Sequence, residues 1–293
     1  MVGFEALVRA TILGLQFGTT LALLVAGLTL VFGLMDVINL AHGSLYMLGA
    51  YFGVTLVDAG GSFWLALVVA PVAVGVVGLL MEVFTLRPLY GREPLYQILV
   101  TLGLAFVVEE SVKEVWGTSA QNFAAPAVLA GSIDIAGVTY SQYQAFVLLF
   151  TTVLVAAIWV GLERTNVGVL LQATAHDPEM VDALGFDVSR VFTGVFAVSA
   201  VLAGLAGVLL GPARAVTPSM WFNVVLLAFA IIVIGGLGNF RGAIVASLLV
   251  GLLTGYAALL VPSYTELLVF ALMAVVLLVR PAGIFGTATG DPG

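Results

Sequence analysis

Few side chains in this sequence have the type and spacing to do chemistry, and their arrangement excludes more reactions than it suggests. The two histidines, His42 and His176, lie far apart without a cluster of further ligands, so each reads as a hydrogen-bonding residue and neither argues for a catalytic metal. Ser44 stands near His42, but nothing supplies the rest of a hydrolytic triad. The absence of cysteine removes disulfide and thiolate chemistry. No GxxxxGK[ST] loop is present, so an ATP-driven activity must take its nucleotide site from another chain. The glycine-rich run GGLGNFRG joins two apolar segments instead of following a strand, and it reads as a tight turn at Gly235, Gly236 and Gly238 rather than a dinucleotide loop.

Two polar constellations remain. If Val37 to Val57 is helical, Asp36, Asn39 and His42 recur every third residue and Tyr46 follows at i+4, giving one polar stripe. Against lipid such a stripe is costly, so it should face other helices or an aqueous path, and Gly43, Gly49 and Gly53 allow close approach or a local break. For Asp36 two readings stand: a boundary residue that caps or orients the next helix, or part of a gate. Asn39, His42 and Tyr46 are likewise open between lining a path and packing around a hydrogen-bonded kink.

The second constellation is Ala173 to Phe186, ATAHDPEMVDALGF, a polar island between long apolar runs. Asp177 is placed as N-cap, Pro178 at the first helical position and Gly185 just past the end. A helix of about two turns is marginal in water and needs a neighbour. Met180, Ala183 and Leu184 fall near one side at helical spacing, while Glu179 and Asp182 point elsewhere. The element is either a docking piece for a soluble partner or an ordinary capped surface loop.

The elements that position these groups are membrane helices. Of 293 residues, 62% are hydrophobic and 9% charged, against about 25% charged in soluble domains, so a water-soluble fold would lack a surface. The 34 glycines suit helices packed backbone to backbone in lipid. A net charge of -7 gives no support to nucleic-acid binding. The first apolar run lacks a strong basic flank and a clear cleavage site, so no cleavable signal peptide is expected.

About 20 helical residues cross a bilayer core. By that measure the candidate spans are Thr11–Met35, Val37–Val57, Ala59–Met81, Leu95–Glu110, Gln142–Leu162, Val191–Leu210, Val224–Leu237, Ala243–Leu260 and Ser263–Val279. The fold expected is therefore an all-α polytopic bundle of eight or nine spans, eight if the second segment is broken or re-entrant. It forms one domain over residues 1–293, with a loop at 163–190 within it. A charged loop is expected at Glu82–Pro94, a small hairpin in GSIDIAGVTY, a small-residue packing face at Ala200, Ala203, Gly204 and Gly207, and a short flexible tail after Pro281. If the central loop is cytoplasmic, that side carries Arg87, Arg92, Arg164, Arg190, Arg241 and Arg280, and the other carries Arg9, Lys113 and Arg214. The positive-inside tendency then puts the N-terminus outside and the C-terminus inside.

VINLAHGSLYMLGAY, LRP, TAHDPEMVDALGFDVSRV, AGLAGVLL, GGLGNFRGA and LLVRPAGIFG, in this order from about Thr11 to Gly286, resemble the permease subunit of branched-chain amino acid ABC importers. The resemblance implies a multi-pass subunit of the plasma membrane or bacterial inner membrane. Its implied partners are a second, homologous permease, two cytoplasmic ATPases, an external or periplasmic solute-binding protein and a small amino-acid substrate. No cofactor is implied on this chain; ATP and Mg belong to the ATPases. It also implies that His176 through Gly185 meet the ATPase, with Asp177, Pro178, Glu179 and Gly185 matching the family loop. His176 stands where an acidic residue is frequent, which changes interface charge without disturbing the cap. Asn39, Ala41, His42 and Gly43 fall on the family's amino-proximal signature, and Gly235, Gly236 and Gly238 on its later turn.

The larger family includes urea permeases, so urea is the nearest alternative cargo. An ion-coupled secondary transporter and a membrane scaffold are the alternatives of a different class.

Overall fold

The computed structural model describes residues 3–135 and 137–286; of the flexible tail expected after Pro281, Ile284 and Phe285 instead donate their backbone N–H groups to the Ile234 and Gly235 carbonyls, and the part from Thr287 onward lies outside the described residues. Helices α1 (Phe4–Met35), α2 (His42–Asp58), α3 (Phe63–Met81) and α4 (Pro94–Trp116) precede a hairpin, β1 (Ser132–Ile135) and β2 (Val138–Ser141). Then come α5 (Gln142–Arg164), α6 (Asn166–His176), α7 (Pro178–Ala183), α8 (Val188–Leu210), α9 (Met220–Gly235), α10 (Phe240–Leu260) and α11 (Thr265–Val279). The hairpin pairs antiparallel where the alternation of GSIDIAGVTY placed it, with Ile133 opposite Tyr140.

Polar residues between the apolar runs set the helix starts. Ser62, Thr165, Asp177, Asp187 and Asn239 each accept a backbone N–H of the following first turn, a cap worth about 1 kcal/mol. Helix ends fall on left-handed residues: Gly117 after α4, Gly236 after α9 and Asp36 after α1.

Among the described residues seven helices, extended by adjoining turns, are long and apolar enough to cross a bilayer, fewer than the eight or nine expected. The difference lies in α2 and α9, of 17 and 16 residues. Each follows an irregular stretch, residues 36–41 before α2 and 214–219 before α9. The stretch Glu82–Pro94 is also less loop-like than expected, because a π-turn over Glu82–Leu86 and a 3-10 turn over Arg87–Leu89 prolong α3.

Alpha-5 runs from the hairpin to α6 and α7, and so defines two ends of the bundle. The C-terminus of α1 and the N-terminus of α10 share the α7 end, where Gly33 meets Gly238 and Arg241 pairs with Glu163. Tracing the chain from there puts the six arginines of the sequence grouping at the α7 end, and Arg9, Lys113 and Arg214 at the hairpin end.

The centre of the bundle is built on glycine. A Cβ on Gly18 of α1 would stand 2.9 Å from the Ser247 carbonyl oxygen of α10, and one on Gly14 would stand 2.8 Å from that of Gly251. Gly204 lies against Gly49 and Val74, and Gly207 against Tyr46, so α8 packs on α2 and α3 through the small-residue face expected from sequence. Lipid tails are as apolar as leucine, so helices gain little from burial alone; close backbone approach and its dispersion contacts hold them together instead.

Candidate functional site

At one end of the bundle sits the polar island. Thr165 caps α6, and Gln172 Nε2 donates to the Leu162 carbonyl at 2.8 Å, which folds α6 back under α5. Asp177 Oδ1 then accepts the Met180 N–H at 2.9 Å, Pro178 opens α7, and Gly185 leaves it at φ +90°. The element is the short capped helix its sequence indicated. Only Val181 is buried in it, at 3% exposure, whereas Met180 is 57% and Leu184 70% exposed. His176, Glu179, Ala183 and Phe186 are exposed as well, so an apolar face on a tightly fixed turn stands open to solvent.

From α7 the chain enters α8 through the Asp187 cap, and Asp187 also pairs with Arg190 at 2.8 Å. Less than two turns on, the Thr193 hydroxyl donates to Oε2 of Glu82 at 2.8 Å. Glu82 is fully buried and also accepts from Tyr90 at 2.7 Å and from Arg87 Nε at 3.2 Å. Arg87 Nη2 bonds Thr193 too, closing the ring of groups. Burial, and then the bond to Glu82, push the Tyr90 hydroxyl well above its usual range, so it remains a donor throughout the physiological pH range. The Tyr90 and Phe192 rings meet edge to face at 5.5 Å. The end of α3 and the start of α8 are thus joined by a buried carboxylate whose lone pairs are taken up from both sides.

Two cavities lie along α1. One, of about 420 Å³, opens at the hairpin end and reaches inward past Phe17, Thr20, Leu21 and Leu24, with Tyr46, Asn223, Thr254 and Val269 on its walls and Arg214 and Glu266 beside its mouth. The other, of about 390 Å³, lies at the α7 end between Thr29, Gly33 and Leu34 of α1, Leu171 and Gln172 of α6, and the Glu163–Arg241 pair. Val25, Ala26, Gly27 and Leu28 lie between the two and are buried, Val25, Ala26 and Leu28 at no more than 1% exposure. Gly27 is wedged on α8, where a Cβ would stand 2.8 Å from the Ser199 carbonyl oxygen.

The polar stripe is placed unevenly. Residues 36–41 are not helical, so the three-residue spacing from Asp36 to His42 does not put them on one face. Asp36 is exposed and ends α1 at φ 50°, its N–H donating to the Phe32 carbonyl. Asn39 is fully buried, with no protein partner for either amide atom. His42 Nε2 meets the Leu24 carbonyl oxygen at 2.9 Å, directly behind the floor of the first cavity. Of the four, Tyr46 alone lines that cavity. The irregular backbone is satisfied from α4: the Thr101 hydroxyl accepts the Leu40 N–H and lies 3.2 Å from the Ile38 carbonyl, and Gln97 Oε1 accepts the Ile38 N–H at 3.4 Å.

Gly235, Gly236 and Gly238 form a close-packed turn at the α7 end. A Cβ on Gly235 would stand 2.5 Å from the Gly242 carbonyl, and Gly236, at φ +108°, abuts Gly286. Among the described residues, no group of three or more His, Cys, Asp or Glu is arranged to hold a metal ion.

The sequence reading missed Val181, Glu82, Thr193, Arg214 and Glu266. A signal for Glu82 existed: it continues the Gly75, Gly78 spacing by four residues, on the face of α3 that meets α8. Arg214 and Glu266 carry no local motif, because α8 and α11 bring them together over fifty residues of chain.

A family described as branched-chain amino acid transport system / permease component matches residues 10–277. The high-affinity branched-chain amino acid transport system permease protein BraD of Pseudomonas aeruginosa is 30% identical over 289 residues, covering 93% of this chain and 94% of its own length. LivH of Escherichia coli, described in the same words, is 30% identical with 93% of both chains covered. A probable branched-chain amino acid transport permease protein LivH of Methanocaldococcus jannaschii is 27% identical over 92% of this chain and 90% of its own. No solved structure matches.

Proposed function

Because this chain belongs to the family of branched-chain amino acid transport system permease components, we propose that it supplies half of the translocation path of an ATP-dependent importer of branched-chain or other small amino acids. It is a multi-pass membrane protein and a transport subunit, not an enzyme. Its partners are a second permease of the same kind, two cytoplasmic ATPases that hold the ATP and Mg, and an external binding protein that delivers the solute. The α7 end faces the cytoplasm, in keeping with six of the nine basic residues there. Counting the short helices α2 and α9 as passes gives nine crossings among the described residues, with the N-terminal end outside and the C-terminal end inside.

The observation that carries this reading is the pair of cavities along α1, divided by the sealed stretch Val25–Leu28. A path open to one side at a time needs a seal that can move and a lever to move it. The lever is α7. Its exposed Met180 and Leu184 seat in an ATPase groove, and Val181 fixes it to the bundle. The Asp187 cap and the Glu82–Thr193 bond carry its displacement into α8 and α3. Alpha-8 touches the seal directly at Ser199–Gly27. Close-packed helices slide as units instead of deforming, so a shift of α8 repacks the seal and changes which cavity communicates.

The test is uptake of labelled leucine and of labelled urea into vesicles carrying the full complex, with and without internal ATP. ATP-dependent leucine uptake is expected. Urea uptake alone would keep the importer and change the cargo, and ATP-independent transport by the isolated chain would overturn it.

A further inference from the structure

Arg214 and Glu266 are oppositely charged, line the same cavity, and are not joined. Among the described residues neither takes part in an ion pair, although Glu82 with Arg87, Asp187 with Arg190 and Glu163 with Arg241 do. Arg214 follows the last turn of α8, and its guanidinium carbon lies 4.4 Å from the centre of the Phe17 ring. The ring face holds the cation over the cavity without neutralising it. Glu266 projects from the first turn of α11. Inward of the two charges, Leu21, Leu24 and Val269 give the wall apolar patches beside Thr20 and Asn223.

Two opposite, unpaired charges on one cavity with leucine on its wall suit the chemistry of an amino-acid zwitterion. Its carboxylate suits the planar fork of a guanidinium, its ammonium a carboxylate, and its aliphatic side chain the leucine wall. A volume of about 420 Å³ lies within the range of roughly 300–1,000 Å³ of small-ligand sites. Both charged groups are exposed, so water competes with the solute and holds it weakly, as a way station in a conducting path requires.

We propose that Arg214 and Glu266 receive the carboxylate and ammonium of the amino acid as it leaves the binding protein, with its side chain toward Leu21 and Leu24. This rests on the importer reading above and assigns that path its first recognition step. The rival use of two exposed charges at an outer mouth is to dock the binding protein itself.

The experiment measures initial leucine uptake by the reconstituted complex, with internal ATP, as the concentration of leucine-loaded binding protein is varied. Each of Arg214→Gln and Glu266→Gln is expected to lower the maximal rate about tenfold while the half-saturating concentration of binding protein stays constant. Arg214→Lys, which keeps the charge, should recover part of the rate. A raised half-saturating concentration with a recovered maximal rate would assign the charges to docking and overturn the proposal. An unchanged curve for both variants would overturn it as well. A wild-type complex that imports no leucine with ATP would instead strike the importer reading itself, and the proposal with it.

Discussion

Thr193 of α8 donates a 2.8 Å hydrogen bond to Glu82 at the end of α3, across 111 residues of sequence. Its acceptor Glu82 is fully buried and also receives Arg87 and Tyr90, and the bond sits within two turns of the α7–α8 junction. Any movement of α7 therefore acts on two core helices together. Glu82→Ala would leave the Thr193 and Tyr90 hydroxyls without their shared acceptor and Arg87, 39% exposed, without its carboxylate, and is expected to loosen the junction of α3 and α8 and lower the unfolding temperature. Glu82→Gln keeps the shape and one acceptor oxygen, for Thr193 or for Tyr90, while turning the other position into an amide donor and removing the charge. The complex is expected to assemble and hydrolyse ATP but to consume several-fold more ATP per leucine imported. An unchanged ratio of ATP to leucine would confine the node to folding.

The exposed face of α7 separates binding from stability. Leu184→Glu changes a residue 70% exposed, so unfolding of the isolated permease should shift by less than about 0.5 kcal/mol. Recovery of ATPase on the tagged permease should fall at least tenfold, because the new charge must be desolvated in an apolar groove. Val181→Asp is expected to do the reverse in order, loosening α7 before any partner is met, since that side chain is 3% exposed. Limited proteolysis within residues 173–187 distinguishes the two.

Glycines on the α1–α10 seam should tolerate no side chain. Gly18→Leu meets backbone atoms of Ser247 and Leu248 at 2.9 and 3.1 Å, and backbone cannot rotate away. A loss of about 1–3 kcal/mol is expected for overpacking, read as a lower unfolding temperature in detergent. Gly103→Leu on α4, where nothing lies within 4 Å of the added Cβ, is the matched control and should leave that temperature within a degree or two.

Asp36 is the one non-glycine residue with positive φ among the described residues. Its two roles make opposite demands. As a left-handed helix end, Asp36→Gly should be tolerated with normal uptake, and Asp36→Val should cost about 1–2 kcal/mol. As a gate carboxylate, Asp36→Gly should abolish uptake. Its exposed position at the C-terminus of α1 favours the first, and comparing uptake by the glycine variant with its unfolding temperature decides.

Local signals were readable in sequence and tertiary ones were not. Asp177, Pro178 and Gly185 announce α7 because capping, a fixed proline φ and a left-handed exit all act within a few residues. The glycine and alanine spacing of α8 announces its packing face for the same reason. The stripe from Asp36 to His42, which required a helix there, does not form, since hydrogen bonds to the Gln97 and Thr101 side chains, some sixty residues away, stabilise an irregular backbone that periodicity cannot foresee. Alpha-6 went unassigned because its cap, Thr165, sits in what reads as a charged loop. Arg214 and Glu266 share a cavity only through the packing of α8, α9 and α11, which leaves no trace at either position alone.

If α7 drives access to the path, leucine uptake must depend on its exposed apolar face. Vesicles carrying the full complex are loaded with ATP, and leucine uptake is followed for the wild type and for a variant with Ala183 and Leu184 both replaced by glutamate, at matched permease content. ATP-dependent uptake is expected in the wild type and its loss in the variant. Undiminished ATP-dependent uptake by the variant would contradict that dependence.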